Sequence, residues 1–451
     1  MPVRLITIAR NTFVESVRQP IYFIVVAMVG ILQLFTTWAS AFSMGMTESG
    51  EVSGDNKLML DISLSTIFVA GMLLAAFLAT AVLSREIENK TVLTVVSKPV
   101  GRPTVVLGKY LGVAAAIFIA VFTMLLFLQL ALRHEVMSTA ADDLDGPVIL
   151  FTCLAVAVAL GTAIWCNFFY GWVFSQTATL LLCPAMMVAV VLVMMISKKW
   201  QLQPITADLK PQVMMACTGI ILAHMVLTAV ATAASARLGQ VMTIVICCAV
   251  FLCGLLSNHF IGRHAVKNDF VARVASASPE LIGHAAFDTN GDTYNLKFDS
   301  ASRLRVPVDA VVFYGPNPSG AGLCNIFAAP DFASAPADAR LSDRALIPTV
   351  VCTQSDPKAI TIRRVGADAP ATTRPPRTGD YIFLQPTKYS VPAIVAWGLV
   401  PNIQFFWLTD AVSQNQRIPP SHLGLVALYA VTLIGVFLSL GVALFQTREV
   451  G

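Results

Sequence analysis

YLGVAAAIFIAVFTMLLFLQLAL, Tyr110 to Leu132, runs 23 residues without an Asp, Glu, Lys or Arg. At about 1.5 Å of rise per residue, a helix of this length crosses a hydrocarbon core of roughly 30 Å. Comparable uncharged runs cover residues 21–43, 62–84, 148–170, 177–197, 213–234, 240–260 and 423–446. The expectation is an all-α polytopic membrane protein of about eight transmembrane helices. Only Gly171 to Gln176 separate the fourth and fifth runs. If that pair is one re-entrant unit, the number falls to as few as six.

Composition agrees. Of 451 residues, 56% are hydrophobic and 12% charged, against roughly 25% charged in an ordinary soluble domain. A mean hydropathy of +0.72 excludes a disordered chain and argues against a cytosolic enzyme. The net charge of +4 is too small and too scattered for a nucleic-acid partner.

Loop cations set the orientation, because Lys and Arg are retained on the cytoplasmic side. Arg4, Arg10 and Arg18 precede the first span. Arg85, Lys90, Lys98, Arg102 and Lys109 lie between the second and third, so both segments belong in the cytoplasm. The stretches bearing Glu48, Glu51, Asp55 and Asp61, and Glu135, Asp142, Asp143 and Asp145, belong outside. Lys198, Lys199 and Lys210 conflict with this parity, while Arg237 and Arg448 agree with it. In the first 20 residues, Leu5, Ala9, Phe13 and Val17 recur every fourth position, the pattern of an interfacial helix. The apolar run after Pro20 is longer than the core of a cleaved signal.

Residues 262–391 have globular composition. Tyr294 to Phe298, Val308 to Tyr314, Thr349 to Cys352, Ala359 to Val365 and Tyr381 to Leu384 read as strands of a mainly-β extracytoplasmic insert, with Ala321 to Arg344 and Ala369 to Pro376 as loops. The aromatic-rich residues 392–422 are expected at the headgroup level, leading into the last helix and tail, 423–451. Seven of the nine cysteines fall in predicted spans as small apolar residues. Cys324 and Cys352, outside them, are a candidate disulfide or two buried thiols. No Cys and His spacing suggests a metal site.

The predicted spans hold no carboxylate or basic residue for a coupling ion, and His224 reads as a packing residue. No nucleophile–base pair suggests catalysis, and Gly101 to Lys109 is spaced wrongly for a phosphate loop. No cofactor is called for, and any ATP must be hydrolysed by another polypeptide. The informative segment is Ser84 to Lys109. Glu86 and Lys90 stand four apart, and Ile87, Val92, Val95 and Val96 can share a face before Pro99 and Gly101 end the helix. Such a helix suits docking into a groove on a partner. A solvated turn is the alternative.

Ser84 to Thr91, the Ser97-Lys98-Pro99-x-x-Arg102 element, Gly108-Lys109 and the terminal Phe445 to Val450 resemble permease subunits of type-2 ABC exporters, most nearly the bacterial branch containing the membrane subunit of the nitrous-oxide-reductase maturation cluster. The resemblance covers the N-terminal helix, the first three spans, the Ala236 to Gln240 turn and the last span. It implies a multi-pass permease of the bacterial inner membrane with both termini cytoplasmic, a second permease forming a homo- or heterodimer, and two copies of an ABC ATPase subunit. The segment 85–109 would be the coupling loop, with Glu86, Glu88, Lys90, Lys98 and Arg102 as docking contacts and Ile87 and Val92 as apolar anchors. Eight spans instead of six, and the insert at 262–391, depart from the family pattern. A membrane scaffold whose insert binds an envelope component is the competing reading.

Overall fold

A computed structural model describes residues 2–40, 54–84, 101–136, 144–280, 287–324, 349–366, 372, 374–413 and 418–446. By contacts the chain divides into one unit of residues 1–255 with 403–451, and a second of residues 256–402. The latter is wider at both ends than the insert read from composition.

The first unit is helical: α1 (Pro2–Arg18), α2 (Pro20–Ala39), α3 (Gly54–Ala79), α4 (Arg102–His134), α5 (Gly146–Tyr170), α6 (Phe174–Met195), α7 (Pro211–Ser235) and α8 (Gln240–Ser257). After α9 (Val391–Leu399), which belongs to the second unit, come α10 (Thr409–Ser413) and α11 (Pro420–Gln446). Among the described residues eight segments, α2 to α8 and α11 with their continuations, are long and apolar enough to cross a membrane. The ambiguous pair is a hairpin of two full helices. Gly171, at φ +65°, takes the left-handed position that closes α5. Its N–H bonds Asn167 O at 3.1 Å, and Trp172 N–H reaches Cys166 O at 3.3 Å.

Helix α4 is the axis of the bundle, packed against α1, α2, α3, α6 and α7. Its contact with α1 depends on Gly108 and Gly112, four apart and therefore on one face. A Cβ at Gly112 would stand 2.5 Å from Ala9 O and 2.5 Å from the Thr12 Cβ, so only glycine permits this approach. The four-residue stripe of α1 thus faces α4, while Val3, Ile6 and Arg10 are exposed.

Two expectations change. The helices extend beyond the apolar runs, so α3 begins with Asp55, Lys57 and Asp61, and α4 contains Arg102, Lys109 and Arg133. Residues 403–412 also do not form a surface segment. Ile403, Phe406, Leu408, Val412 and Ile418 are buried in the helical core, with Trp407 stacked on Phe68 at 5.8 Å. The backbone of Phe406 lies against Gly219, where a Cβ would meet Phe406 O at 2.6 Å. The aromatics are drawn inward because α3 and α7 offer rings and a glycine notch. His224 packs as expected, fully buried and edge-on to Phe68, with Nδ1 2.7 Å from Ile220 O and Nε2 3.2 Å from Phe68 O.

The second unit holds β1 (Val266–Lys267), β2 (Phe270–Pro279), β3 (Thr293–Phe298), β4 (Phe313–Gly315), β5 (Thr349–Asp356), β6 (Ala359–Val365), β7 (Tyr381–Phe383) and β8 (Lys388–Tyr389). Six form an antiparallel sheet in the order β4-β7-β2-β3-β6-β5, and β1 pairs with β8. Strand β2, longest and internal to the sheet, was not legible beforehand. A register shift between Phe270 and Ala272 buries Val271 and Ala272 together, which destroys the alternation that marks a strand. Asp309, at φ +67°, interrupts the expected strand Val308 to Tyr314 and leaves β4 and a bridge from Val311 to Val351. Cys324 and Cys352 are buried thiols of one core. The Cys352 thiol donates to Gln354 O at 3.3 Å, and Cys324 N–H bonds Tyr314 O at 2.8 Å. Of the two alternatives, a disulfide or two buried thiols, the structure holds the thiols.

Candidate functional site at the roots of residues 85–101

The segment singled out by sequence leaves the bundle from α3 and returns at α4. Glu86, Ile87, Glu88, Lys90, Val92 and Lys98 lie outside the described residues. The structure places the two roots and Arg102.

At the outgoing root, α3 loosens into a π-helical turn, Thr80–Ser84, a departure often found at functional positions. Thr80 Oγ1 donates back to Ala76 O at 3.0 Å and Phe77 O at 2.8 Å. Lys109 reaches across from α4, and its ammonium donates to Val82 O at 3.0 Å. The side chain is 5% exposed. A cation at the carbonyl-rich end of a helix satisfies orphan acceptors and opposes the helix dipole.

At the incoming root, Gly101 caps α4 with extended backbone and Pro103 occupies the first turn, where its missing N–H costs nothing. Thr104 N–H bonds Gly101 O at 2.9 Å. Arg102 Nη1 donates to Gln446 O at 2.9 Å, tying α4 to the end of α11. Below this contact Phe445 is buried with Val106 and Ala236. Gly441 allows α11 close to α7, where a Cβ would stand 3.1 Å from the Ala233 Cα. Three separate stretches, Arg102 to Lys109, the turn at Ala236 and Phe445–Gln446, therefore meet in one place. Helix α1 joins them through Gly108, where a Cβ would stand 2.8 Å from the Ile8 Cγ2. The α5–α6 turn is held to α1 by Arg18 Nε donating to Gln176 Oε1 at 2.8 Å and Ser175 Oγ donating to Arg18 O at 2.9 Å.

The opposite end of the bundle is held by charge. Arg133 pairs with Asp145 at 2.7 Å and Asp208 at 2.8 Å, and Lys198 with Glu135 at 3.1 Å. Asp145 also caps α5 by accepting from Val148 N–H at 3.2 Å. Gln203 donates to Asp208. The cations that conflicted with parity thus lie in a loop tied to the acidic one after α4, so both loops are at one end. The eight candidate spans among the described residues are compatible with these contacts.

Among the described residues no group of His, Cys, Asp and Glu could hold a metal ion. The eight apolar helices define a multi-pass membrane protein. Residues 6–167, from α1 into α5 and across the whole 85–101 segment, match the family model described as ABC-2 family transporter protein. No curated protein matches the chain. The match supports an ABC-2 type permease, a membrane component, and that family implies partnership with an ABC ATPase subunit.

Proposed function

We propose that this chain is the permease subunit of an ATP-driven ABC exporter, of the branch resembling the nitrous-oxide-reductase maturation permease. It works with a second permease and two copies of a separate ATPase, in a bacterial inner membrane with both termini cytoplasmic. The observation that carries the reading is the anchoring of both roots of residues 85–101 in the bundle, within the stretch that matches the ABC-2 family. A helix pushed by a nucleotide-driven partner moves the membrane spans only if its roots are rigidly held. Lys109 ties one root to α3, and Arg102 ties the other to α11. Glu86, Glu88, Lys90, Lys98 and Arg102 form the polar rim of the docking surface, and Ile87 and Val92 its apolar anchor.

Co-purification of the chain from its native membranes with a Walker-motif ATPase tests the reading. Val92→Asp places a charge in the buried anchor, which costs several kcal/mol and lowers association at least tenfold (~1.4 kcal/mol per tenfold). A single rim substitution such as Lys98→Ala costs about 1 kcal/mol or less. Unchanged ATPase association and turnover in the Val92→Asp protein would contradict the placement. Cargo-stimulated ATP turnover in proteoliposomes separates an exporter from a scaffold.

A further inference from the structure

At the end of the bundle where α4 stops and α5 begins, α2, α4 and α5 enclose a cavity of about 350 Å³, within the range of roughly 300–1,000 Å³ typical of small-molecule sites. Its rim carries Ile31, 68% exposed, and Phe35, 57% exposed. Both lie on a helix long and apolar enough to cross a membrane, so the rim opens on an apolar surface. The floor is different, because Thr37, His134 and Thr152 are all at least nine-tenths buried.

The hydrogen-bonding state of these three polar groups defines what fits. Thr37 Oγ1 is committed to Leu34 O at 2.7 Å. Thr152 Oγ1 has no partner among the described residues, and a buried hydroxyl without one is costly. His134 Nδ1 lies 3.1 Å from Glu135 O. A carbonyl only accepts, so Nδ1 is the donor in this contact, and Nε2 is the ring's remaining hydrogen-bonding nitrogen. The floor therefore offers one hydroxyl and one ring nitrogen within an apolar wall. Among the described residues no Lys or Arg lines it.

We propose that this cavity binds a membrane lipid bearing a free hydroxyl at its head. The hydrocarbon lies along Ile31, Leu34 and Phe35, and the hydroxyl donates to His134 Nε2 and accepts from Thr152. A phospholipid tail leaves Thr152 unpaired, and an anionic head finds no Lys or Arg among the described lining residues. The site stands on its own geometry, whether or not the chain exports anything.

Photolabelling of the purified full chain in nanodiscs with a diazirine-bearing dodecanol tests it. The expected result is saturable labelling concentrated on the peptides spanning residues 31–37 and 148–153. Thr152→Val lowers that labelling about two- to tenfold, the worth of one neutral hydrogen bond, and Thr152→Ser restores it. The matching methyl ether, which cannot donate to His134, labels the wild type less by a similar factor. Each variant is used at its unchanged thermal midpoint. Equal labelling by alcohol and ether, equal labelling of wild type and Thr152→Val, or label spread evenly over all lipid-facing helices would overturn the proposal.

Discussion

Lys109 and Arg133 show how single charges hold the two ends of the helical unit. Replacing Lys109 by Met leaves the end of α3 without its cation and the Val82 carbonyl without this donor. We expect a loss of about 1.5–3 kcal/mol, the worth of a hydrogen bond to a charged group, read as a lower thermal midpoint in detergent. At the other end, Asp145 is fully buried against Arg133. Arg133→Met strands that carboxylate, and roughly 3–5 kcal/mol of stability goes with it. In the second unit, burial pushes the Cys352 thiol from an ordinary 9.0 up to about 11. The folded protein then holds its proton where the unfolded chain has lost it. This contribution to stability is present below about pH 9 and is lost as pH rises toward about 11. Alkylation of native Cys352 should accelerate only near the upper value, and a profile centred near pH 9 would contradict the buried placement. Neither charge nor thiol was assigned these partners by sequence. Lys109 counts in the sequence as a loop cation at the opening of the third span, and nothing there points it toward the end of α3.

Helices were the most legible level. The uncharged runs located all eight candidate spans among the described residues, since twenty-odd residues without charge have few other physical uses. Interruptions were harder to interpret. Pro401, Asn402 and Gln404 broke the apolar run after the second unit and suggested a surface segment, yet Phe406 and Trp407 enter the core through contacts that only three dimensions bring near. Strand β2 escaped notice because its bulge replaces alternation with adjacent buried residues. Gly108 and Gly112 carried a clearer signal, a small-residue pair at helical spacing, but nothing in the sequence named α1 as the partner. At Gly112 a valine has no room. Gly112→Val should cost about 1–3 kcal/mol and release α1, seen as faster proteolysis within residues 2–18 while the remaining helices stay protected. Unchanged protection would mean that the α1–α4 packing is not tight.

For the whole molecule, the resemblance noted in scattered residues acquires a spatial meaning. Gly108 and Lys109, the turn at Ala236, and Phe445 with Gln446 lie far apart in sequence and assemble around the roots of residues 85–101. Composition could not supply this, because contacts between distant stretches leave no periodic trace. It did supply the division into a helical unit and a β-containing one, although the boundary at Leu256–Asn402 exceeds the compositional shift on both sides. The central claim is that the segment between α3 and α4 faces the cytoplasm, where an ATPase can push on it. The direct measurement introduces Glu88→Cys and labels it with a membrane-impermeant maleimide, read by mass spectrometry of that peptide. The account predicts no labelling in intact cells and full labelling in inverted membrane vesicles. Labelling from outside intact cells would contradict it.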